Sequence, residues 1–133
     1  MGWNKDLVLY RIEKSHETLE DARILRNAGR WNACVNRLYY ACFYAVSALL
    51  ICDNLSSSKH TGIRSLFNQH YVKTGDVPKN LARIYNDLFE RRQEGDYIDF
   101  VDFQESQVVP LISQVETFVE YIVRLAQEKI KTA

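Results

Sequence analysis

The 133-residue chain predicts an all-α fold, an antiparallel up-and-down bundle of about five helices. Three observations carry that prediction. Apolar residues recur at intervals of three and four over long stretches, the spacing of a helix with one buried stripe. No segment alternates with period two for long enough to make a sheet strand. Finally, 5 Gly and 2 Pro against 47% hydrophobic residues leave few places for the chain to break. A chain of this length should bury roughly two thirds of its unfolded surface, enough for a core without disulfide or metal staples. Residues 1–133 are therefore expected to form a single domain.

The first helix is placed from about Asn4 to Asn27, with Val8, Ile12, Ser15, Leu19, Ala22 and Leu25 along its buried stripe. Asn27-Ala28-Gly29-Arg30 ends it, because Asn and Gly accept the left-handed conformation of a helix C-terminus. The second helix starts near Arg30 or Trp31 and continues to about Asp53; so short a connection makes the two antiparallel neighbours. Its apolar run, Leu38 to Cys52, is fifteen residues broken only by Ser47. A membrane span needs about 20, so the run reads as a central buried helix. Cys34, Cys42 and Cys52 fall on it and are expected to be core thiols.

Ser57 or Ser58 can cap a shorter third helix through about His70, with Ile63, Leu66 and Phe67 inward. Pro78 suits the first turn of a fourth helix, which carries Leu81, Ile84, Tyr85, Leu88 and Phe89 and ends near Gln93, before Gly95. Asp102 with Glu105 reads as a variant capping box. It opens a fifth helix whose stripe runs from Val108 to Ala126, with Pro110 demanding either a later start or a kink.

The chain is formally neutral, with 17 basic and 17 acidic residues, which argues against a uniformly basic nucleic-acid binder. Neutrality here is a cancellation. Residues 22–75 hold seven basic side chains (Arg23, Arg26, Arg30, Arg37, Lys59, Arg64 and Lys73) against Asp53 alone, whereas both flanking segments are acidic. Either these segments neutralise one another on packing, or a basic groove guides an anion. The opening residues lack the charged start and apolar stretch of a signal peptide, so a cytoplasmic protein with no membrane partner is expected. No metal or cofactor is called for, since no His or Cys pair stands at zinc-ligand spacing.

On the second helix Asn36, Tyr40, Tyr44 and Ser47 share a face, bordered by Arg37. An arginine beside a buried face needs an acid, here from the fourth helix or the loop after it, or an anionic ligand. A second cluster, Phe89-Glu90-Arg91-Arg92-Gln93-Glu94-Gly95-Asp96-Tyr97, closes the fourth helix. Arg92 and Asp96 could form a helix-end salt bridge or a functional pair.

Taken in order, Arg37 with Tyr39-Tyr40-Ala41 and Phe43, Lys59-His60-Thr61-Gly62, Leu66-Phe67, Val72-Lys73-Thr74-Gly75 and Arg92-Gln93-Glu94-Gly95-Asp96-Tyr97 resemble the HEPN superfamily, over about Leu7 to Ala126. The closest likeness is to its small, single-domain prokaryotic branch. The resemblance implies a helical bundle that forms a homodimer, is often encoded beside a minimal nucleotidyltransferase, and in many members acts on RNA. Active ribonucleases of the family use Arg-x(4–6)-His without a metal. Carried over, the arginine is Arg92, and the histidine position falls on Tyr97, Ile98 or Asp99. Aspartate would face phosphate as an anion and tyrosine is a poor base near neutral pH, so neither replaces imidazole.

The leading expectation is a HEPN protein that binds RNA or a nucleotide and works with a nucleotidyltransferase in a toxin–antitoxin or defence pair, without efficient nuclease chemistry. Arg37 and Arg92 would contact phosphate, with Tyr40, His60 and Tyr97 beside them. Family likeness also marks Tyr97 for nucleotidylation by the partner. One alternative is a metal-independent endoribonuclease toxin using Arg92 with Asp96 or His60. The other is a purely structural dimerisation or interaction module.

Overall fold

The computed structural model describes residues 4–97 and 102–132, and the side chains of all of these except 92–97. Five α-helices follow one another: α1 (Lys5–Asn27), α2 (Trp31–Cys52), α3 (His60–Phe67), α4 (Lys79–Tyr97) and α5 (Glu105–Thr132), with a π-helical turn over Asn68–Val72 after α3. Among the described residues there is no strand. The bundle is all-α, as the periodicity predicts.

The turns between the long helices are built from a recurring piece of backbone chemistry. After α1 the N–H of Arg30 reaches the carbonyl of Leu25 at 2.9 Å and that of Gly29 reaches Arg26 at 3.0 Å. This reciprocal closure requires a left-handed residue, supplied by Gly29 at φ +71°. The same closure ends α2, where Leu55 N–H bonds Leu50 at 2.9 Å and Asn54 N–H bonds Ile51 at 3.1 Å, with Asn54 at φ +60°. Asn takes the place of Gly there because its short polar side chain tolerates that region.

Helix α2 lies at the centre and packs against α1, α3, α4 and α5. Leu38, Tyr39, Ala41, Cys42, Ala45, Val46, Ala48, Leu49 and Leu50 are all buried. It is the one described helix long and apolar enough to cross a membrane, and two thirds of that stretch is instead buried inside the bundle. Small residues let α1 approach it closely: Ala22 and Cys34 are fully buried, the Cys34 thiol donates to the Ala22 carbonyl at 3.3 Å, and Ser15 Oγ donates to the Ala41 carbonyl at 2.7 Å. All three cysteines are free. Burial pushes the Cys42 thiol well above its ordinary range.

Four boundaries differ from expectation. Helix α3 begins at His60, with Lys59 rather than a serine at its N-cap. Ser57 Oγ instead accepts the Lys59 N–H at 3.2 Å and sits where a Cβ on Gly62 would lie 2.0 Å away, so only glycine fits that helix position. The helix does not run on to His70, because the π-helical turn widens the backbone and carries Tyr71 into the core. Helix α4 passes through Gly95 to Tyr97; a helical glycine costs only about 1 kcal/mol and does not by itself end a helix. Helix α5 begins at Glu105 behind Gln104, whose N–H is taken by Gln107 Oε1 at 2.8 Å, so the box that closes this end is Gln104/Gln107 and not Asp102/Glu105. Asp102 accepts from Asn32 Nδ2 at 3.3 Å, while Asn32 Oδ1 takes the Phe103 N–H at 2.8 Å. Pro110 lies inside α5 in its exposed early turns, where the carbonyl it frees can meet water.

Candidate functional site

The outward face of α2 carries the site. Asn36, Arg37, Tyr40, Phe43 and Tyr44 are all half-buried there, and the face disappears under other elements at Ser47. Helical spacing brings the rings together in a connected cluster. Tyr40 and Tyr44 stand with ring centres 6.1 Å apart, Tyr40 and Phe43 6.0 Å apart, and Tyr39 stacks at 6.0 Å on Tyr85 of α4 from the buried side.

His60 joins this cluster from the start of α3. Its imidazole lies flat on Phe43, with centroids 4.2 Å apart and planes 15° apart, and stands edge-on to Tyr40 at 5.6 Å. Nδ1 is 2.9 Å from the buried Tyr39 hydroxyl, which fixes the orientation of the ring. His60 is thus locked between two α2 aromatics.

Three arginines from three helices rest on the rings. The Arg37 guanidinium lies 4.9 Å from the Tyr40 ring centre, Arg64 of α3 lies 4.1 Å from that of Phe89, and Arg11 of α1 lies 5.7 Å from that of Tyr44. They differ in charge pairing. Arg64 donates to Glu90 at 3.0 Å. Arg37 spends its Nε and one Nη on the neutral Asn36 side chain, at 3.1 and 2.7 Å, and meets no carboxylate among the described residues. In particular, neither Asp87 nor Glu90 of α4 takes it. Arg11 likewise has no described carboxylate, and its Nε is buried without a hydrogen-bond partner.

Magnitudes separate a structural from a binding role for Arg11. A cation–π contact is worth about 0.5–1 kcal/mol at an exposed site. An unsatisfied buried donor costs about 1–3 kcal/mol, more when charged. The ring contact alone does not offset that cost, so the described contacts do not account for the cation by themselves, and an anion from outside would meet its Nη groups rather than the enclosed Nε.

Of the sequence-predicted residues, Arg37, Tyr40 and His60 come together on one surface. Arg92, Asp96 and Tyr97 lie on the last turns of α4, and their side chains fall outside the described residues. The expected basic groove over residues 22–75 divides. Arg23 turns away to a cleft between α1 and α5 and is neutralised by Glu20 at 2.9 Å and Glu116 at 2.5 Å. Arg37 and Arg64 stay on the ring cluster. Arg11, from the acidic first segment, joins them although nothing in the sequence reading singled it out. The available signal was its place between Val8, Ile12 and Ser15, at the border of the buried stripe, where a cation is half-desolvated.

A central apolar helix enclosed by antiparallel partners, with an arginine- and tyrosine-lined outer face, defines a class of small α-helical bundle rather than any particular member of it. Comparison with known proteins supplies the family: the HEPN domain model matches residues 8–129, and the chain belongs to this family. It is 41% identical over 128 residues to a UPF0332 protein of Thermotoga maritima, covering 96% of this chain and 97% of that one. It is similar to two Methanocaldococcus jannaschii proteins, each named "Putative toxin". One is 30% identical over 128 residues, 94% of this chain and 95% of the relative. The other is 29% identical over 107 residues, 80% and 73% of the two chains.

Proposed function

We propose that this HEPN protein binds RNA or a nucleotide and acts in a toxin-like role with a minimal nucleotidyltransferase partner, in a toxin–antitoxin or defence pair. The observation that carries the reading is the half-buried Arg37 guanidinium, stacked on Tyr40 and met by no carboxylate among the described residues, beside an oriented His60. Planar cations next to aromatic faces suit phosphates linked to stackable bases. The names of the two archaeal relatives support the toxin-like part.

In this reading Arg37 and Arg92 hold phosphate, with Tyr40, His60 and Tyr97 around them. The absence of histidine at positions 97–99 leaves no imidazole where the family's nuclease motif would place one, so binding rather than cleavage is expected. Tyr97 is the proposed acceptor for the partner. Its phenol oxygen would bond to the α-phosphorus of a nucleoside triphosphate as pyrophosphate leaves and the phenolic proton is lost. A homodimer is part of the proposal, supported by Leu7, Leu9 and Tyr10 at 42–53% exposed on the first turns of α1.

The test is retention of labelled single-stranded RNA by purified protein, measured by anisotropy in the presence of a chelator. Wild type is expected to bind and leave the RNA intact, and Arg37→Gln to bind weakly. Cleavage that disappears in Arg92→Ala would replace this reading with that of a metal-independent nuclease. No binding by folded wild-type protein, alone or with the product of an adjacent nucleotidyltransferase frame, would leave the interaction module as the better description.

A further inference from the structure

Arg11 and Tyr44 extend the basic face beyond the residues that the proposed function uses. The rings and cations form one unbroken run across two helices: Arg11 on Tyr44, Tyr44 at 6.1 Å from Tyr40, and Tyr40 under Arg37. Each end of the run is a guanidinium without a described carboxylate, and the Arg11 end has a buried Nε with no partner. The centre is two half-buried phenol rings with planes 39° apart.

We infer that Arg11 and Tyr44 form a second anion subsite, so that the face takes a single-stranded oligonucleotide with successive phosphates rather than one mononucleotide. The spacing of the rings supports a strand that is not helically stacked. Successive nucleotides of a duplex strand rise about 3.4 Å, shorter than the 6.1 Å between the two rings. Bases that meet both tyrosines must therefore be splayed apart, as in the unpaired segments that proteins read by stacking. A mononucleotide occupies one rung and one arginine and leaves the other end of the run unused.

This inference rests on the reading that the α2 face binds nucleic acid, and its test separates the two. Binding of a labelled single-stranded RNA of about eight nucleotides and of adenosine monophosphate would be measured over a range of salt concentrations for wild type, Arg11→Gln, Arg11→Lys and Arg37→Gln. Arg11→Gln is expected to weaken oligonucleotide binding about five- to tenfold and to lower its salt slope by about one phosphate contact. Its monophosphate binding should stay within about twofold of wild type, since one rung suffices there. Arg11→Lys should keep the salt slope and lose part of the affinity, because it retains the charge without the planar stack. Should Arg11→Gln fold poorly, Tyr44→Leu, which removes the ring beneath the guanidinium, provides the same contrast. Unchanged oligonucleotide affinity and slope in Arg11→Gln, with binding lost in Arg37→Gln, would overturn the second subsite and leave the α2 site standing. Wild-type protein that binds neither probe would overturn both.

Discussion

Two polar clusters of this bundle treat charge in opposite ways. At the far end of α2, Asp53 accepts from the Tyr71 hydroxyl and faces Lys129 of α5 at 3.2 Å, while the Lys129 ammonium lies 5.9 Å from the Tyr71 ring centre. Carboxylate, phenol and ammonium come from three segments and satisfy one another. On the outward face of α2, Arg11 and Arg37 lie on Tyr44 and Tyr40, and no carboxylate among the described residues meets them. The first cluster joins the end of α2 to the π-helical turn and α5. The second adds little to the fold that it does not also cost. The difference teaches where to look for function in a small bundle: at the cations that no carboxylate among the described residues meets.

The largest expected effect lies in the self-satisfied cluster. Tyr71 is 2% exposed, so Tyr71→Ala removes a buried aromatic and the donor to Asp53 together. A loss of about 3–5 kcal/mol is expected, measured by urea unfolding. Unchanged stability would break the comparison, because this corner would then no longer anchor the fold.

Tyr71→Phe sharpens it by keeping the ring and removing only the hydroxyl, for an expected loss of about 1–2 kcal/mol. It also carries a pH signature. Burial, then the hydrogen bond to Asp53 and its charge, hold the Tyr71 phenol well above its ordinary value. A group raised on folding stabilises fully below its unfolded pKa, about 10 for tyrosine, and that contribution is lost as pH rises past it, because only the unfolded chain then ionises. Wild-type stability should fall above about pH 10, and more steeply than that of Tyr71→Phe. Buried Tyr85 is raised by the same desolvation and should supply the decline that remains in the variant.

Much of this architecture is legible in the sequence, and what is not has specific physical reasons. The ends of α1 and α2 can be read because Gly29 and Asn54 sit where a left-handed residue must. The path of α4 through Gly95 cannot, since a glycine inside a helix is only a mild penalty and does not by itself mark an end. The π-helical turn over Asn68–Val72 leaves no composition signal, although it holds Tyr71 where its hydroxyl reaches Asp53. Asp102 has the spacing of a capping residue yet serves Asn32, a partner 70 positions away that only the folded chain brings near. In the site, Arg37, Tyr40 and His60 emerge from local spacing and family likeness. Arg11 does not, because its meaning depends on Tyr44 across the helix pair and on an Nε left without a partner among the described residues.

A smaller effect is expected at Arg23, which shares α1 with Arg11 but has two carboxylates. Its hydrogen bond to Glu116 outweighs desolvation and raises its pKa. The Arg23 and Glu116 side chains are 37% and 41% exposed, so solvent screens the pair. Arg23→Gln should therefore cost no more than about 1 kcal/mol, and the cost should shrink in high salt. RNA binding should be unaffected, since the residue faces the α1/α5 cleft rather than α2's outer face.

The smallest stability effect belongs to Arg37. Its bonds run to Asn36 on the same helix, and its ring contact is to Tyr40, one turn away. Nothing in this set ties one helix to another, so Arg37→Gln should leave the unfolding free energy within about 0.5 kcal/mol of wild type. The same substitution should weaken RNA binding by about 1–3 kcal/mol if the guanidinium meets a phosphate. Measuring both quantities on one variant decides the contrast between the clusters. Stability lost with binding intact would move Arg37 into the class of Tyr71 and Arg23, where charge serves the fold. Stability kept with binding lost would mark a cation held for a ligand, at a position where the bundle does not need it.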